Sequence, residues 1–459
     1  MPPPSPLIFS ILCFLSVIIF TSSSTPNTIT LPLSHLFTTH PSSHPFHTLK
    51  LAVSTSITRA HHLKNHQPNP LKTQIHPKSY GGYSIDLNFG TPPQTFSFIL
   101  DTGSTLVWLP CSSHYLCSNC NSFHNTPKSF IPKNSSSSKF VGCTNPKCTW
   151  VFGTSVESRC CKQNSATGNC SQTCPAYTVQ YGLGSTAGLL LSENLNFPGK
   201  ILPDFLVGCS IISVYQPAGI AGFGRGPESL PSQMNLTGFS YCLLSHQFDD
   251  SPETSDLVLH TSSDDDDKRT NGVSYTPFRK NPSSKNPAFG AYYYLTLRRI
   301  IVGEKRVRVP KRLLEPDVDG NGGSIVDSGS TFTFMERPIF DLVAQEFAKQ
   351  VNYTRAREME KKSGLSPCFV VSGTATFPEL RFEFRGGAKM ILPLSNYFSL
   401  FGKSDVACLT IVSDDVAGPG VAAGPAVILG NYQQQNFYVE YDLGNERFGF
   451  RSQSCKTRV

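Results

Sequence analysis

Two aspartates in this chain each begin the same short phrase, and a pair of carboxylates can carry out acid–base chemistry. Residues 98–110 read FILDTGSTLVWLP and residues 324–336 read SIVDSGSTFTFME. Two carboxylates that lie close together cannot both ionise cheaply, so they share one proton. One can then accept a proton from water while the other donates a proton to a substrate carbonyl. The chemistry therefore depends on whether the fold brings Asp101 and Asp327 together.

The repeat extends beyond these two phrases. A single copy would be explained by a turn that an Asx hydrogen bond closes. Each copy, however, is followed downstream by an apolar pair and a glycine, Ile220-Ala221-Gly222 in one half and Ile428-Leu429-Gly430 in the other. Both halves run in the order strand, Asp loop, long β-rich stretch and apolar-apolar-Gly. We therefore expect two similar lobes that face each other, with the two aspartates meeting at a pseudo-twofold axis.

Composition and charge restrict the class of protein. The 459 residues are rich in Phe, Gly and Pro and poor in charge, which favours many short strands joined by turns. Residues 1–85 hold five basic and no acidic residues, and so account for most of the formal net charge of +7. The rest of the chain is close to neutral and has no basic face with interleaved aromatic residues. Nucleic-acid binding is therefore not expected.

The chain begins with a pattern typical of secretion. Residues 7–20 form an apolar run, and small polar residues follow it, so we predict a signal peptide over 1–24. A signal anchor or a buried segment is the alternative reading. No second apolar run approaches the length of a membrane span and the C-terminal tail is polar, so no stable membrane anchor is expected.

The cysteines and sequons agree with secretion. One of the fifteen cysteines, Cys13, lies in the signal segment, and the fourteen that remain favour disulfides. Cys117 and Cys120 could form half of a zinc site, but no second CxxC or HxxxH follows, so no metal site is predicted. Four Asn-x-Ser/Thr sequons predict glycosylation, at Asn134, Asn169, Asn235 and Asn352.

Changes in composition and periodicity divide the chain into segments. Residues 25–80 contain eight of the twelve histidines and show little periodicity, and we interpret them as a propeptide. Residues 83–89 and 95–100 alternate like strands, and 337–349 is the clearest helix. The charge run 264–269 lies in a predicted loop over 250–272 between the lobes. We therefore place an N-terminal lobe at 81–272 and a C-terminal lobe at 273–459.

These motifs resemble the pepsin-like aspartic proteases, and the nepenthesin-type plant branch in particular. The resemblance spans about 83–450 and rests on Asp101-Thr-Gly-Ser104, Asp327-Ser-Gly-Ser330, Tyr181-Gly-Leu-Gly-Ser185, Gly224-Arg-Gly-Pro-Glu-Ser-Leu-Pro-Ser-Gln-Met234, Ile428-Leu-Gly-Asn431 and the Cys-rich stretch 111–174. It implies an all-β, bilobal pepsin-like fold with the active-site cleft between two pseudo-twofold-related lobes. A saposin-like insert would add about six cysteines to the second lobe, which has three, so no such insert is present.

The resemblance implies a role for each residue of the two loops. Asp101 and Asp327 would be the catalytic pair, with Thr102 and Ser328 tying the loops together. Ser104 and Ser330 would hydrogen-bond the outer carboxylate oxygens, and Gly103 and Gly329 would let backbone N–H groups approach. Tyr181, with Gly182, Leu183 and Gly184, would form a flap over the substrate, and Trp108 would donate its indole N–H to the tyrosine hydroxyl. Leu183 stands where these flaps usually carry Asp or Thr.

The resemblance also implies disulfide partners. The expected pairs are Cys111–Cys117, Cys120–Cys209, Cys242–Cys455 and Cys368–Cys408. The pairing among Cys143, Cys148, Cys160, Cys161, Cys170 and Cys174 stays open.

The sequence thus predicts a secreted aspartic endopeptidase that cleaves peptide or protein substrates in acid, without a cofactor, as a monomer. Its destination would be the extracellular space or cell wall, with the vacuole as the alternative. Its own propeptide would be an inhibitory partner, and acidification would trigger self-cleavage near 75–82; the direction of any histidine effect is left open. The rival reading is a pepsin-fold protein that binds and inhibits cell-wall-degrading glycosidases. The stretch 222–226 lacks the GxGxxG spacing of a dinucleotide site, and no GxSxG or HExxH occurs.

Overall fold

The computed structural model describes residues 28–35, 45–64, 82–120, 128–156, 160, 172–182, 184–216, 218–245, 254–261, 270–283, 286–373, 375–400, 405–413 and 424–455. Several predictions concern residues outside these ranges: the signal peptide, Leu183, the sequon at Asn169, Cys161 and Cys170, and the charge run 264–269. The expected cleavage region near 75–82 also lies almost wholly outside them.

Strands dominate the described residues, and the helices are few. The helices are α1 (Pro45–Lys64), α2 (Pro146–Phe152), α3 (Leu230–Gln233), α4 (Lys311–Leu314), α5 (Arg337–Gln350) and α6 (Arg357–Ser363). The strands are β1 (Thr28–His35), β2 (Tyr83–Phe89), β3 (Gln94–Asp101), β4 (Trp108–Pro110), β5 (Leu116–Ser118), β6 (Lys139–Phe140), β7 (Tyr177–Gln180), β8 (Ser185–Phe197), β9 (Lys200–Val214), β10 (Gly219–Gly222), β11 (Gly238–Cys242), β12 (Ser255–His260), β13 (Ser274–Pro277), β14 (Tyr293–Leu295), β15 (Leu297–Val302), β16 (Lys305–Val307), β17 (Ser324–Val326), β18 (Thr333–Met335), β19 (Thr354–Arg355), β20 (Cys368–Val370), β21 (Leu380–Phe384), β22 (Lys389–Ile391), β23 (Phe398–Leu400), β24 (Val406–Leu409), β25 (Ile411–Val412), β26 (Val427–Leu429), β27 (Phe437–Asp442) and β28 (Arg447–Ser452). The predicted helix over 337–349 and the two predicted strands are confirmed.

The described strands form four sheets. A 15-stranded sheet takes in the strands of the first half together with β13, β27 and β28. The remaining strands of the second half form one sheet of five strands, in the order β14-β17-β26-β18-β25, and two sheets of four strands. The main core runs along these sheets, and its aromatic residues meet where the halves join: Phe239 of β11 stacks on Tyr441 of β27 with ring centroids 4.4 Å apart.

The internal repeat is visible in the strand pairing. In the first half β10 lies parallel to β3, with Gly222 opposite Asp101, and antiparallel to β4. In the second half β26 lies parallel to β17, with Leu429 opposite Val326, and antiparallel to β18. Each apolar-apolar-Gly strand is therefore clamped between the strand that leads into an Asp loop and the strand that leaves it. This confirms that the two phrases and their downstream partners form equivalent units.

Strand β1 and helix α1, at 28–35 and 45–64, are more regular than the sequence predicts. Strand β1 lies between β2 and β12, with Ile29, Leu31 and Leu33 buried on one face. Helix α1 buries an i, i+3, i+4, i+7 face that includes Leu49, Ala52, Val53, Ala60 and Leu63. The periodicity is weak in the sequence because small and hydroxyl residues occupy much of the buried face. A helix of that composition depends on packing for its stability.

Two of the four predicted disulfides are correct and two are wrong. Cys242–Cys455 and Cys368–Cys408 are confirmed. Cys111 pairs with Cys209, and Cys117 pairs with Cys120. The reason is strand register: β4 runs parallel to β9, with Leu109 opposite Cys209, whereas Cys117 on β5 lies opposite Ser213, four residues further along β9. Among the cysteines left open, Cys143 pairs with Cys160 and Cys148 with Cys174.

Candidate active site

The two Asp loops bind their own carboxylates in the same way. The Asp101 Oδ1 oxygen accepts a hydrogen bond from the Gly103 N–H at 2.9 Å, and Oδ2 accepts one from the Ser104 hydroxyl at 2.6 Å. In the other loop the Gly329 N–H donates to Asp327 Oδ1 at 2.9 Å, and the Ser330 hydroxyl donates to Oδ2 at 2.7 Å. Both carboxylates are buried. Each is therefore held by one backbone and one side-chain donor, as predicted.

Thr102 and Ser328 tie the loops together across the two halves. The Thr102 N–H donates to the Ser328 hydroxyl at 3.1 Å, and the Ser328 N–H donates to the Thr102 hydroxyl at 2.9 Å. The Ser328 hydroxyl in turn donates to the carbonyl of Leu100 at 2.9 Å. These reciprocal bonds lie in the buried interior, where leaving any of the groups unpaired would cost free energy. They fix the position of one carboxylate relative to the other.

The glycine in each loop is required by the closeness of the opposite loop. A Cβ atom on Gly103 would lie 2.7 Å from Asp327 Oδ1, and one on Gly329 would lie 2.4 Å from Asp101 Oδ1. Real Cβ atoms essentially never come so close to other heavy atoms. The structure therefore brings the two sequence-distant carboxylates into one site.

The predicted flap contact is present. The Trp108 indole Nε1–H donates to the Tyr181 hydroxyl at 2.7 Å, and both side chains are buried. Tyr181 follows β7, and its N–H donates to the Gly184 carbonyl at 2.6 Å, which closes the hairpin turn towards β8. Trp108 begins β4, immediately after the Asp101 loop. The hydrogen bond thus connects the base of the hairpin to the strand that leaves the first carboxylate.

A residue that the sequence analysis did not place in the site occupies its centre. Arg59 extends from α1, and its Nη2 lies 2.7 Å from Asp101 Oδ1 while its Nε lies 3.3 Å from Asp327 Oδ2. The Arg59 side chain is 7% exposed. A Cβ on Gly182 would lie 2.6 Å from Arg59 Cα, so the flap closes directly on the backbone of α1. One guanidinium therefore bridges both carboxylates beneath the closed flap.

Helix α1 is anchored on both sides of this contact. The Ser56 hydroxyl accepts a hydrogen bond at 2.8 Å from the N–H of Phe332, a residue just beyond the second Asp loop. The Tyr292 hydroxyl donates to the Leu63 carbonyl at 3.3 Å. The contact could have been suspected from one signal only: Arg59 is the sole arginine in an acid-free segment of 85 residues.

The electrostatics of the site reflect burial and mutual charge. Burial raises the pKa of Asp101, as does the neighbouring Asp327, whereas Arg59 and the two loop donors lower that pKa. For Arg59, burial opposes the charge, but the two carboxylates outweigh it and raise the pKa of the guanidinium further above its ordinary value. Arg59 therefore stays charged at any working pH, and the response of this contact to acid comes from Asp101.

Comparison with known proteins is in line with this geometry. The family model described as "Xylanase inhibitor N-terminal" matches residues 83–259, and the one described as "Xylanase inhibitor C-terminal" matches 292–452. A probable aspartyl protease of Arabidopsis thaliana is 35% identical over 95% of this chain and 95% of its own. The chain belongs to the plant pepsin-like aspartic protease family. Aspartic proteinases nepenthesin-2 and nepenthesin-1 of Nepenthes gracilis are 33% and 32% identical, over 82% and 84% of this chain and 78% and 81% of theirs.

Solved structures confirm the predicted all-β bilobal fold. The crystal structure titled "edgp" aligns with a TM-score of 0.63 at 18% identity, over 93% of this chain and 95% of that one. Basic 7S globulin from soybean aligns with a TM-score of 0.60 at 15% identity, over 94% and 96% of the two chains. At these identities the likeness concerns the fold alone.

Three further observations concern the described residues only. No helix there is long and apolar enough to cross a membrane. No group of three or more His, Cys, Asp or Glu side chains there is arranged to hold a metal ion. The three predicted sequon asparagines within the described ranges, Asn134, Asn235 and Asn352, are exposed.

Proposed function

We propose that this protein is a secreted aspartic endopeptidase that is made in a latent form and hydrolyses peptide bonds in acid. The observation that carries this proposal is the complete pair of loops: both carboxylates are present, each has its glycine N–H and serine hydroxyl donors, and the two loops are cross-linked by hydrogen bonds. The predicted signal peptide and the six disulfides among the described residues support expression through a secretory route.

The geometry supports proton sharing between the two carboxylates. Once Arg59 has left, the buried pair would hold one proton in acid, because placing two negative charges side by side in a buried site is unfavourable. The ionised carboxyl would take a proton from a water molecule while the other donates its proton to the scissile carbonyl oxygen. Ser104 and Ser330 would keep the outer oxygens occupied as acceptors, leaving the inner oxygens for the reaction.

The predicted propeptide, residues 25–80, would inhibit the site until acid releases it. Arg59 lowers the pKa of Asp101 relative to a cleft without it, so the contact stabilises the latent form where that carboxyl is ionised. The stabilisation is complete above the pKa of the open cleft and is lost as the pH falls through the pKa of the closed form. Because burial raises the pKa of Asp101, the loss sets in at a higher pH than it would for an ordinary aspartate.

Cleavage of denatured haemoglobin or casein by the secreted protein at about pH 3–4 tests the activity, since a pair sharing one proton should be active there. The assay is run with and without pepstatin, beside Asp101→Asn and Asp327→Asn. We expect cleavage that pepstatin blocks and that neither variant supports. Absence of cleavage by folded protein freed of residues 1–80 would refute the proposal.

A second candidate is favoured by one observation, the description of both matching family models as xylanase inhibitor domains. In that case the protein would bind and inhibit a cell-wall-degrading glycosidase. Titration of a xylanase with the propeptide-free protein separates the two functions. Loss of xylanase activity at a stoichiometric ratio, together with no peptide cleavage, would favour the binder.

A further inference from the structure

The glycine-rich stretch after β10 lies directly against the first Asp loop. The Phe223 N–H donates to the Asp101 carbonyl at 2.7 Å, and the Gly224 N–H donates to the Ser104 carbonyl at 2.8 Å. A Cβ on Gly222 would lie 2.2 Å from the Thr105 carbonyl oxygen. The alternating glycines, which do not fit a dinucleotide site, therefore allow this backbone to pack flat on residues 101–105.

The carboxyl of Glu228, a half-buried residue whose Oε2 atom is fully buried, completes the contact. The Thr105 hydroxyl donates to Glu228 Oε1, and Thr105 directly follows Ser104, the donor to Asp101 Oδ2. A Cβ on Gly226 would lie 2.7 Å from Thr105 Cγ2 and 2.8 Å from Glu228 Oε2, so only glycine leaves room for the carboxyl at this place. The backbone carbonyl of Glu228 is itself fixed by the Gln233 side chain of α3 at 2.9 Å.

The other Asp loop is held by a different group. Asn431, which follows the apolar-apolar-Gly strand β26, donates from Nδ2 to the Ser328 carbonyl at 2.9 Å, and its N–H donates to the Ser330 carbonyl at 2.8 Å. The equivalent position after β10 is Phe223, whose side chain has no such donor. The first loop therefore has no side-chain amide donor equivalent to Asn431. Its side-chain hydrogen bond to the segment after β10 is instead the one from Thr105 to the Glu228 carboxyl.

We propose that Glu228 is a positioning residue for the catalytic loop 101–105, acting through the Thr105 hydroxyl. The proposal rests on the proposed peptidase function for its kinetic consequences. The second oxygen of the Glu228 carboxyl, Oε2, is buried, and no described residue donates to it. Burial raises the pKa of Glu228, with the Thr105 bond opposing the shift. A neutral carboxyl suits an acid-acting enzyme, because it needs no buried counter-charge and still accepts the bond from Thr105.

Kinetics of acid-activated enzyme made from the full chain test this role. Glu228→Leu should lower kcat about tenfold, since a partly buried hydrogen bond to a carboxyl has effects of that order, and should leave KM nearly unchanged. Glu228→Gln, which matches the neutral carboxyl in shape and keeps an acceptor oxygen, should restore kcat. Thr105→Val should resemble Glu228→Leu, and the double variant should be no worse than either one, because both remove the same bond.

The matched control is Glu193, a buried carboxyl of β8 that accepts a bond from Ser137 and likewise has an Oε2 to which no described residue donates. Glu193→Leu should lower the melting temperature but not kcat. Equal kcat losses in the two leucine variants, a glutamine variant as slow as the leucine variant, or additive losses in the double variant would overturn the proposal.

Backbone hydrogen exchange gives a readout that does not need activity. In the Glu228→Leu and Thr105→Val chains, amides of 101–105 should exchange faster while those of 327–330 keep their rates. Unchanged exchange in 101–105 would overturn the positioning role. If the parent chain cleaves nothing, the proposed function fails, and the exchange result still decides the role of Glu228.

Discussion

Replacing Arg59 should convert the latent chain into one with an open site. The side chain is buried and bonds both carboxylates, so its removal takes one partner out of a buried ion pair, at a cost of about 3–5 kcal/mol. The lower end applies, because the buried carboxylates can take up a proton once the guanidinium is gone. At 1.4 kcal/mol for each factor of ten, a cost of about 3 kcal/mol shifts the equilibrium between closed and open helix about 100-fold.

The assay measures latency before any cleavage of the chain. Full-length protein is held at a pH just above the range in which acid weakens the Arg59 contact, and the initial rate on a quenched fluorescent peptide is recorded while gels verify that the chain is intact. Arg59→Met, which keeps much of the volume, should raise this initial rate about 100-fold over the parent chain. Arg59→Lys should fall between the two, because lysine keeps the charge but not the fork that reaches both carboxylates.

Lys50 provides the matched control, since it is a cation on the same helix but exposed. Lys50→Ala should leave latency unchanged. An intact Arg59→Met chain as latent as the parent, or equal opening by Lys50→Ala, would contradict the role of the Arg59 guanidinium. Either result would mean that the packing of α1, not its guanidinium, blocks the cleft.

Three further outcomes are expected. Hydrogen-exchange protection of the α1 amides, corrected for intrinsic exchange rates, should fall between pH 7 and pH 4 in the parent chain but not in Arg59→Met. The reason is that Arg59 lowers the pKa of Asp101, so the stability that this contact gives is lost on acidification. Equal protection of the parent chain at both pH values would contradict this. Trp108→Phe removes the indole donor to Tyr181 and should reduce kcat/KM about tenfold, with Tyr181→Phe causing a similar loss. Ser328→Ala leaves the buried Thr102 N–H without its acceptor and should lower the free energy of unfolding, measured by urea titration, by about 1–3 kcal/mol. An unchanged free energy would show that water replaces the hydroxyl.

The parts of the site that could be predicted are those held by local geometry, those implied by the internal repeat and those implied by the resemblance. In each loop the glycine and serine donors lie two and three residues from their own Asp, so a tetrapeptide is enough to specify both hydrogen bonds. The pairing of Trp108 with Tyr181 was inferred from the resemblance and is confirmed. Asp101 and Asp327 could be placed together because the chain repeats its own pattern, which implies two equivalent units.

The features that the sequence did not predict depend on strand register or on a contact between segments that are remote in the chain. The partner of Cys111 is decided by how β4 and β5 lie along β9, and a displacement of four residues on that strand separates the correct pairing from the predicted one. Nothing in the spacing of the four cysteines encodes this register. Disulfide connectivity in a Cys-rich stretch is therefore a tertiary property, even where the fold itself is evident.

Arg59 and Glu228 show the same limit for charged groups. Each breaks the symmetry of a site whose backbone repeats: the guanidinium lies 2.7 Å from Asp101 but 3.3 Å from Asp327, and the Glu228 carboxyl supports only the first loop. A repeat in sequence predicts what the two halves share and cannot predict what only one of them has. If both proposals hold, the first loop is the regulated half of the pair, since it makes the shorter bond to the helix that closes the site and depends on a titratable side chain for its position. The second loop, held by the amide of Asn431, would keep its geometry whether the chain is latent or active.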